Sequence, residues 1–282
     1  MSRVAYVNGR YAPQRDPAVE VEDRGFQFAD GIYEVWAIAG GLLIDEAAHF
    51  ARLERSLREL AIPRPMSDAA LRRAARETLR RNRVRDGILY LQITRGAAPR
   101  DHAFPTARTP PTVVMTAKSI PPRSIEARAN AGVSVISTPE TRWARCDIKS
   151  VSLLPNVLAK QAARAAGAFE AWFVDADGLV TEGSSSNAWI VSPSGALVTR
   201  DLNANILHGI TRARLLRVAE ALQIRIEERA FSLEEAKASR EAFISSATSI
   251  AIPVIRIDGA VIGDGRPGPI AQALRNHYLE IE

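Results

Sequence analysis

The sequence predicts an α+β fold in two domains, on three observations. The chain has 282 residues, more than one domain of ordinary size. Hydrophobic residues make up 46% of it, enough for one large core or two smaller ones. Short β-rich runs and helical stretches are mixed without the regular alternation that builds a doubly wound parallel sheet.

In chain order, β-branched runs and apolar spacings place strands at residues 4–7, 32–39 and 42–44, and helices near residues 46–60 and 67–82. Strands at 88–95 and 112–117 follow, separated by a long Gly- and Pro-bearing loop from Gly96 to Pro111. Lys118-Ser119-Ile120-Pro121-Pro122-Arg123 then breaks regular structure, because consecutive prolines remove donors and restrict their neighbours. The break separates a smaller N-terminal domain (1–118) and a linker (119–126) from a larger C-terminal domain (127–282). In that domain, strands are expected at 133–138, 171–174 and 188–191 and near Ile224 and Phe243, with helices at 156–166 and 209–222.

Composition narrows the function classes. Charged residues at 24% and aromatic residues at 6% are those of an ordinary globular protein. No apolar run reaches the ~18–20 residues of a membrane span, and the N-terminus opens on a strand, not a signal peptide. The single cysteine, Cys146, cannot form an internal disulfide, which fits a cytoplasmic location. The net charge of +5 raises a nucleic-acid reading, yet 37 basic residues face 32 acidic ones along the whole chain. The arginine clusters at 72–76 and 80–83 fall on the solvent side of a helix whose apolar positions are Ala69, Leu71, Ala75 and Leu79, and no aromatic interleaving or binding motif accompanies them. The four histidines show no zinc-ligand spacing.

Lysine is scarce, which makes each one informative: Lys118, Lys149, Lys160 and Lys237. A lysine that forms a Schiff base needs a partly buried, apolar setting that lowers its pKa. Lys160 and Lys237 lie among polar residues on helices and Lys118 ends a strand, whereas Lys149 sits in the short-side-chained run from Cys146 to Leu154. An isolated lysine is ordinarily a solvated surface residue, so the context must carry the assignment. Thr181-Glu182-Gly183-Ser184-Ser185-Ser186-Asn187 reads as a Ser-rich turn with more hydrogen-bonding capacity than a turn needs, and Glu182 is its anion. Leu207-His208-Gly209-Ile210-Thr211 precedes a helix whose free amides and dipole suit a phosphate, and Ser245-Ser246-Ala247-Thr248-Ser249 offers a second set of amides and hydroxyls. Both segments also read as plain capping and turn formation. In the long loop, Arg100-Asp101-His102 pairs a fork donor with an imidazole, an arrangement that can be aimed at a carboxylate.

Together these segments resemble the fold-type IV pyridoxal-phosphate enzymes, and within them the D-amino-acid transaminase family. The resemblance covers nearly the whole chain, from Glu22-Asp23-Arg24-Gly25-Phe26-Gln27-Phe28-Ala29-Asp30-Gly31-Ile32-Tyr33-Glu34-Val35 through His49-Phe50-Ala51-Arg52-Leu53 to Arg142-Trp143-Ala144-Arg145-Cys146-Asp147-Ile148-Lys149-Ser150, then the Glu182, Gly209 and Thr248 segments. It implies a two-domain architecture with pyridoxal 5'-phosphate between the domains, Lys149 as the Schiff-base lysine and proton carrier, and Glu182 against the pyridine nitrogen. Arg52, Ile210, Thr211 and the Ala247-Thr248 turn would hold the phosphate, Leu207 would pack on the ring, and Ser185, Ser186 and Asn187 would complete the cofactor site. Ala247 stands where the family often has a hydroxyl, so only its backbone N–H can serve there. Tyr33, Arg100 and His102 would trap the substrate α-carboxylate, the last two reaching into the partner's site of a homodimer. The implied reaction moves the amino group of a D-amino acid such as D-alanine to a 2-oxo acid such as 2-oxoglutarate. Aminodeoxychorismate lyase and branched-chain aminotransferase share the lysine, glutamate and phosphate elements and are the alternatives.

Overall fold

Ile32, Glu34, Trp36 and Ile38 are buried while Tyr33, Val35 and Ala37 between them are half-covered, the two-residue period of a strand with one face on a core. The computed structural model describes residues 3–106 and 108–280 and resolves into two units, residues 1–122 with 148–152, and residues 123–147 with 153–282.

The first unit holds β1 (Val4–Val7), β2 (Arg10–Pro13), α1 (Arg24–Phe28), β3 (Gly31–Ala39), β4 (Leu42–Leu43), α2 (Glu46–Glu59), α3 (Asp68–Asn82), β5 (Gly87–Thr94) and β6 (Thr112–Ser119). Its strands form one antiparallel sheet in the order β2-β1-β6-β5-β3-β4. Phe50, Leu53 and Leu57 of α2 and Leu71, Ala75 and Leu79 of α3 pack with Ile32, Trp36, Leu89, Leu91 and Met115 of the sheet. Ser67 caps α3 by accepting from the Ala70 N–H, a visible start signal. The helix turns its arginines outward; Ala69, expected on the apolar side, is exposed, and Ala74 is buried instead.

The second unit is entered through α4 (Pro122–Ala131) and continues with β7 (Val133–Pro139), α5 (Leu154–Ala165), β8 (Glu170–Val174), β9 (Val180–Gly183), β10 (Asn187–Val191), β11 (Leu197–Thr199), α6 (Ile210–Ala221), β12 (Ile226–Glu228), α7 (Leu233–Lys237), β13 (Glu241–Ser246), β14 (Ile250–Ile257), β15 (Ala260–Val261) and α8 (Pro269–Glu280). A mixed sheet runs β12-β11-β10-β13-β14-β7-β8-β9, with β15 beside β14. Trp189 and Val191 of β10 enter a core with Leu215 and Val218 of α6 and Leu274 of α8, while Ala188 and Ile190 enter another with Trp172, Val180 and Phe231. Both faces are buried, so the strand reads as a continuous apolar run.

Two local expectations change. The proline break is short: β6 extends to Ser119 and α4 already begins at Pro122, because proline at a first helical position lacks only an N–H that would have had no helical partner. Thr181, Glu182 and Gly183 lie on β9 rather than in a turn, and the Ser-rich segment proper is the tight connection closed by Gly183 N–H donating to Ser186 O at 2.7 Å.

Candidate functional site

In the second unit the β8–β9 hairpin sets Glu182 in place. Asp175 closes the hairpin by accepting from the Leu179 N–H at 2.9 Å, with Gly178 at φ 76° in the turn. Glu182 is 5% exposed. Its carboxylate accepts from Asn187 Nδ2 at 3.0 Å, from the Leu207 N–H at 3.1 Å, and from Arg142 Nη1. Arg142 also donates through Nε and Nη2 to Glu140, at 2.9 and 2.6 Å, and its guanidinium lies 4.5 Å from the Phe173 ring centroid. Burial alone would lower the guanidinium's pKa, but Glu182 and Glu140 more than offset it, so Arg142 remains a firm cation. Burial likewise works to raise Glu140, and Arg142 holds its carboxyl below the usual range.

Asn187 ties this carboxylate to the next element, because its Nδ2 also donates to Leu207 O at 3.1 Å. Two residues on, Gly209 is the N-cap of α6, and no side chain caps that helix. A Cβ at 209 would overlap Asn187 Oδ1, so the close approach requires glycine. The first-turn amides of Ile210 and Thr211 therefore open toward whatever lies ahead of the helix, beside the buried Thr211 side chain. Ala247 and Thr248 occupy a turn closed by Ser249 N–H to Ser246 O at 3.1 Å and propped by Arg275, whose Nη1 donates to Ser249 O at 2.7 Å. The next residue, Ile250, has φ 59°, a strained conformation for a β-branched side chain. Ser185 and Ser186 turn their hydroxyls to Glu170, at 2.8 and 3.2 Å.

In the first unit, Lys149 is held by its backbone. Its carbonyl accepts from the Tyr33 N–H at 3.0 Å, Ser150 bridges Ile32, and the neighbouring Ile148 is in the core. The Lys149 Nζ lies 4.2 Å from the Tyr33 ring centroid, and Tyr33 stacks on Tyr90 at 5.7 Å. The other lysines are placed differently: Lys160 donates to Phe169 O at 2.5 Å, Lys237 pairs with Glu234 and Asp258 at 3.4 Å, and Lys118 is exposed. Burial pushes the Cys146 thiol up to about 11, so it is no thiolate nucleophile near neutral pH.

Arg52 pairs with Glu34, the residue that follows Tyr33 on β3. Arg52 donates through Nε and Nη2 to the two oxygens of Glu34 at 2.7 and 2.8 Å, and His49 Nδ1 meets the same carboxylate at 2.7 Å. Burial works to raise the pKa of Glu34, but Arg52 and then His49 bring it down to about 2. Arg100 and His102 are exposed and gather around Phe28, with the guanidinium 5.2 Å and the imidazole 5.3 Å from its ring.

The structure thus brings together Lys149 with Tyr33, Glu182 with Asn187, Leu207 and the start of α6, and Arg100 with His102. Sequence reasoning assigned no role to Arg142, Glu140, Glu34 or His49. The Glu140-x-Arg142 pair was readable as an acid and a base two residues apart, but the 40-residue span from Arg142 to Glu182 leaves no local trace.

Residues 31–257 match the model of the amino-transferase class IV family, and the chain belongs to that family. Among its relatives it is 44% identical to a D-alanine aminotransferase of Bacillus licheniformis over 96% of both chains. Among solved structures it resembles the branched-chain amino acid aminotransferase of Escherichia coli, with a TM-score of 0.91 at 22% identity over 100% of this chain and 94% of that one. It also resembles the T.th. branched-chain enzyme determined with pyridoxamine 5'-phosphate, with a TM-score of 0.89 at 26% identity over 99% of this chain and 94% of that one. At 22% identity the first of these neighbours defines the fold and not the substrate.

Proposed function

We propose that the protein is a pyridoxal-phosphate-dependent transaminase that moves the amino group of a D-amino acid, of the D-alanine type, to a 2-oxo acid such as 2-oxoglutarate. The observation that carries the cofactor reading is Glu182, a buried carboxylate fixed by Arg142, Asn187 and the Leu207 N–H, three residues before the uncapped start of α6. An anion suited to a protonated ring nitrogen is thus hydrogen-bonded to the segment that opens α6, whose amides suit a phosphate. The substrate reading is supported by the 44% identity to a D-alanine aminotransferase over almost the full length.

When bound, pyridoxal phosphate supplies a carbonyl that takes up the amino group and a ring that accepts electrons from the substrate α-carbon. Lys149 provides the amine that anchors that carbonyl, then holds and returns the proton of the α-carbon through Nζ. Glu182 holds the proton on the ring nitrogen. Ile210, Thr211, Ala247, Thr248 and Arg52 would hold the phosphate, Leu207 would pack against the ring, and Ser185, Ser186 and Asn187 would complete the cofactor site. Tyr33, Arg100 and His102 bind the substrate carboxylate. We place Arg100 and His102 in the site of the partner subunit of a homodimer. The exposed apolar face of α5, with Leu154, Val157 and Leu158 at helical spacing, favours association with a second copy. A cytoplasmic location fits the single free cysteine, and among the described residues no helix is long and apolar enough to cross a membrane.

The branched-chain reading remains the rival because the structural neighbours are branched-chain enzymes. Turnover of D-alanine, L-alanine and L-leucine with 2-oxoglutarate decides between them. D-alanine is expected to be the substrate, and preferred turnover of L-leucine would overturn the reading.

A further inference from the structure

We propose that Arg24 is the positioning residue of the substrate-carboxylate trap: a buried guanidinium that fixes the loop presenting Arg100 and His102. The inference rests on the assignment of those two residues to carboxylate binding.

The loop has little structure of its own. Among the described residues between β5 and β6 the chain forms only an isolated bridge, from Ala97 to Asp23. Arg100, Asp101 and His102 are all exposed, so apolar burial of their side chains does not fix their backbone. At its ends the loop is tied by Ala98 N–H donating to Glu22 O at 3.3 Å and by the Arg95 guanidinium 3.6 Å from the Phe104 ring; the backbone of residues 101–103 is held from Arg24. Arg24 is 3% exposed. Its Nη1 donates to Asp101 O at 2.6 Å and Ala103 O at 3.2 Å, and its Nη2 to His102 O at 3.3 Å. Three consecutive carbonyls thus turn toward the two terminal nitrogens of one planar fork, which spans them more fully than a single ammonium nitrogen would.

The same residue orders the side chains. Its guanidinium lies 4.9 Å from the Phe28 ring centroid, and Phe28 is the ring that Arg100 and His102 both approach. The remaining nitrogen, Nε, donates to Asp30 at 2.8 Å. Asp30 does not depend on it, because Arg95 also reaches that carboxylate at 2.7 and 3.0 Å while donating to Leu60 O and Ala61 O. Loss of Arg24 therefore frees the loop without stranding a buried carboxylate, so the expected defect is in presentation of the trap rather than in folding.

The test is steady-state kinetics of the holoenzyme with D-alanine, comparing Arg24→Met, Arg24→Lys, Arg100→Ala and the double variant Arg24→Met/Arg100→Ala. Arg24→Met is expected to raise KM at least about tenfold while kcat stays within about threefold, with Arg24→Lys between it and the wild type. In the Arg100→Ala background the further effect of Arg24→Met should shrink to about twofold or less. Hydrogen exchange should quicken across residues 99–106 and stay unchanged in β5. An unaltered KM and unaltered loop exchange in Arg24→Met would overturn the positioning role, as would an undiminished Arg24→Met penalty in the Arg100→Ala background. Faster loop exchange together with an Arg100→Ala enzyme of normal KM would instead remove the carboxylate-trap assignment on which the proposal stands. Should Arg24→Met fail to fold, Arg24→Lys, which keeps the charge beside Asp30, carries the same comparisons.

Discussion

Two of the arginine–carboxylate clusters among the described residues, one in each unit, differ in composition. In the first unit one carboxylate, Glu34, is shared by the Arg52 guanidinium and the His49 imidazole. In the second, one guanidinium, Arg142, is shared by the carboxylates Glu140 and Glu182. Of the named arginines and carboxylates the first cluster holds one of each, whereas the second holds two carboxylates to one arginine. Burying charge is costly unless a counter-charge compensates it, so each cluster selects the sign of what it can take in. The carboxylate-rich cluster suits a protonated ring nitrogen, which is how the proposed function uses Glu182.

The largest expected effect lies outside both clusters. Lys149→Ala should lower turnover by at least about ten-thousandfold, because Lys118, Lys160 and Lys237 are exposed or engaged elsewhere. Borohydride reduction of the holoenzyme followed by peptide mapping checks the assignment directly. A pyridoxyl group on any other lysine would show that neither cluster serves the residue proposed.

The comparison itself is broken or sharpened by removing the two arginines. Arg142→Met leaves the buried Glu182 and the half-buried Glu140 without their shared guanidinium and should cost about 3–5 kcal/mol of stability. Arg52→Met leaves Glu34 in contact with His49 and should cost less. Unfolding midpoints of the two variants, measured side by side at neutral pH, give the order, and an equal or larger loss in Arg52→Met would contradict the contrast.

How much of this was legible in the sequence differs by scale. Helices α2 and α3 were readable within a residue or two, because Ser67 marks a start and the apolar spacing is regular. β14 was not: it lies between two other strands yet contains Pro253, a residue ordinarily kept to sheet edges, and its register shifts between Val254 and Arg256. At the site, Lys149, Glu182 and Gly209 stood out because scarcity, charge and helix-start chemistry are local properties. The clusters did not, because Glu34 and Arg52 are 18 residues apart and Arg142 and Glu182 are 40 apart. Only the tertiary fold brings such pairs together, and the same is true of Arg24 and the carbonyls of residues 101–103.

The smallest effect concerns acid. Glu34 has its carboxyl lowered from 4.5 to about 2, so in the unfolded chain it binds a proton that the folded chain refuses until much lower pH. A group of this kind stabilises the fold above its unfolded pKa and loses that contribution as pH falls through the folded one. The window is therefore about pH 4.5 down to about pH 2, and lowering the pH from about 7 to about 3 should remove roughly 2 kcal/mol through this residue. Glu77 is also held at about 2, by Arg80 and Arg81, but on the surface, where salt screens such pairs. High salt should therefore erase the part of the acid sensitivity that belongs to Glu77 and leave the part that belongs to Glu34. Stability measured from pH 7 to 3 at low and high salt, in the wild type and in Glu34→Gln, separates the two. The Gln variant should be less stable at neutral pH and show a flatter acid limb at high salt. If its limb is as steep as that of the wild type, the first cluster does not hold Glu34 ionised in the way its geometry implies.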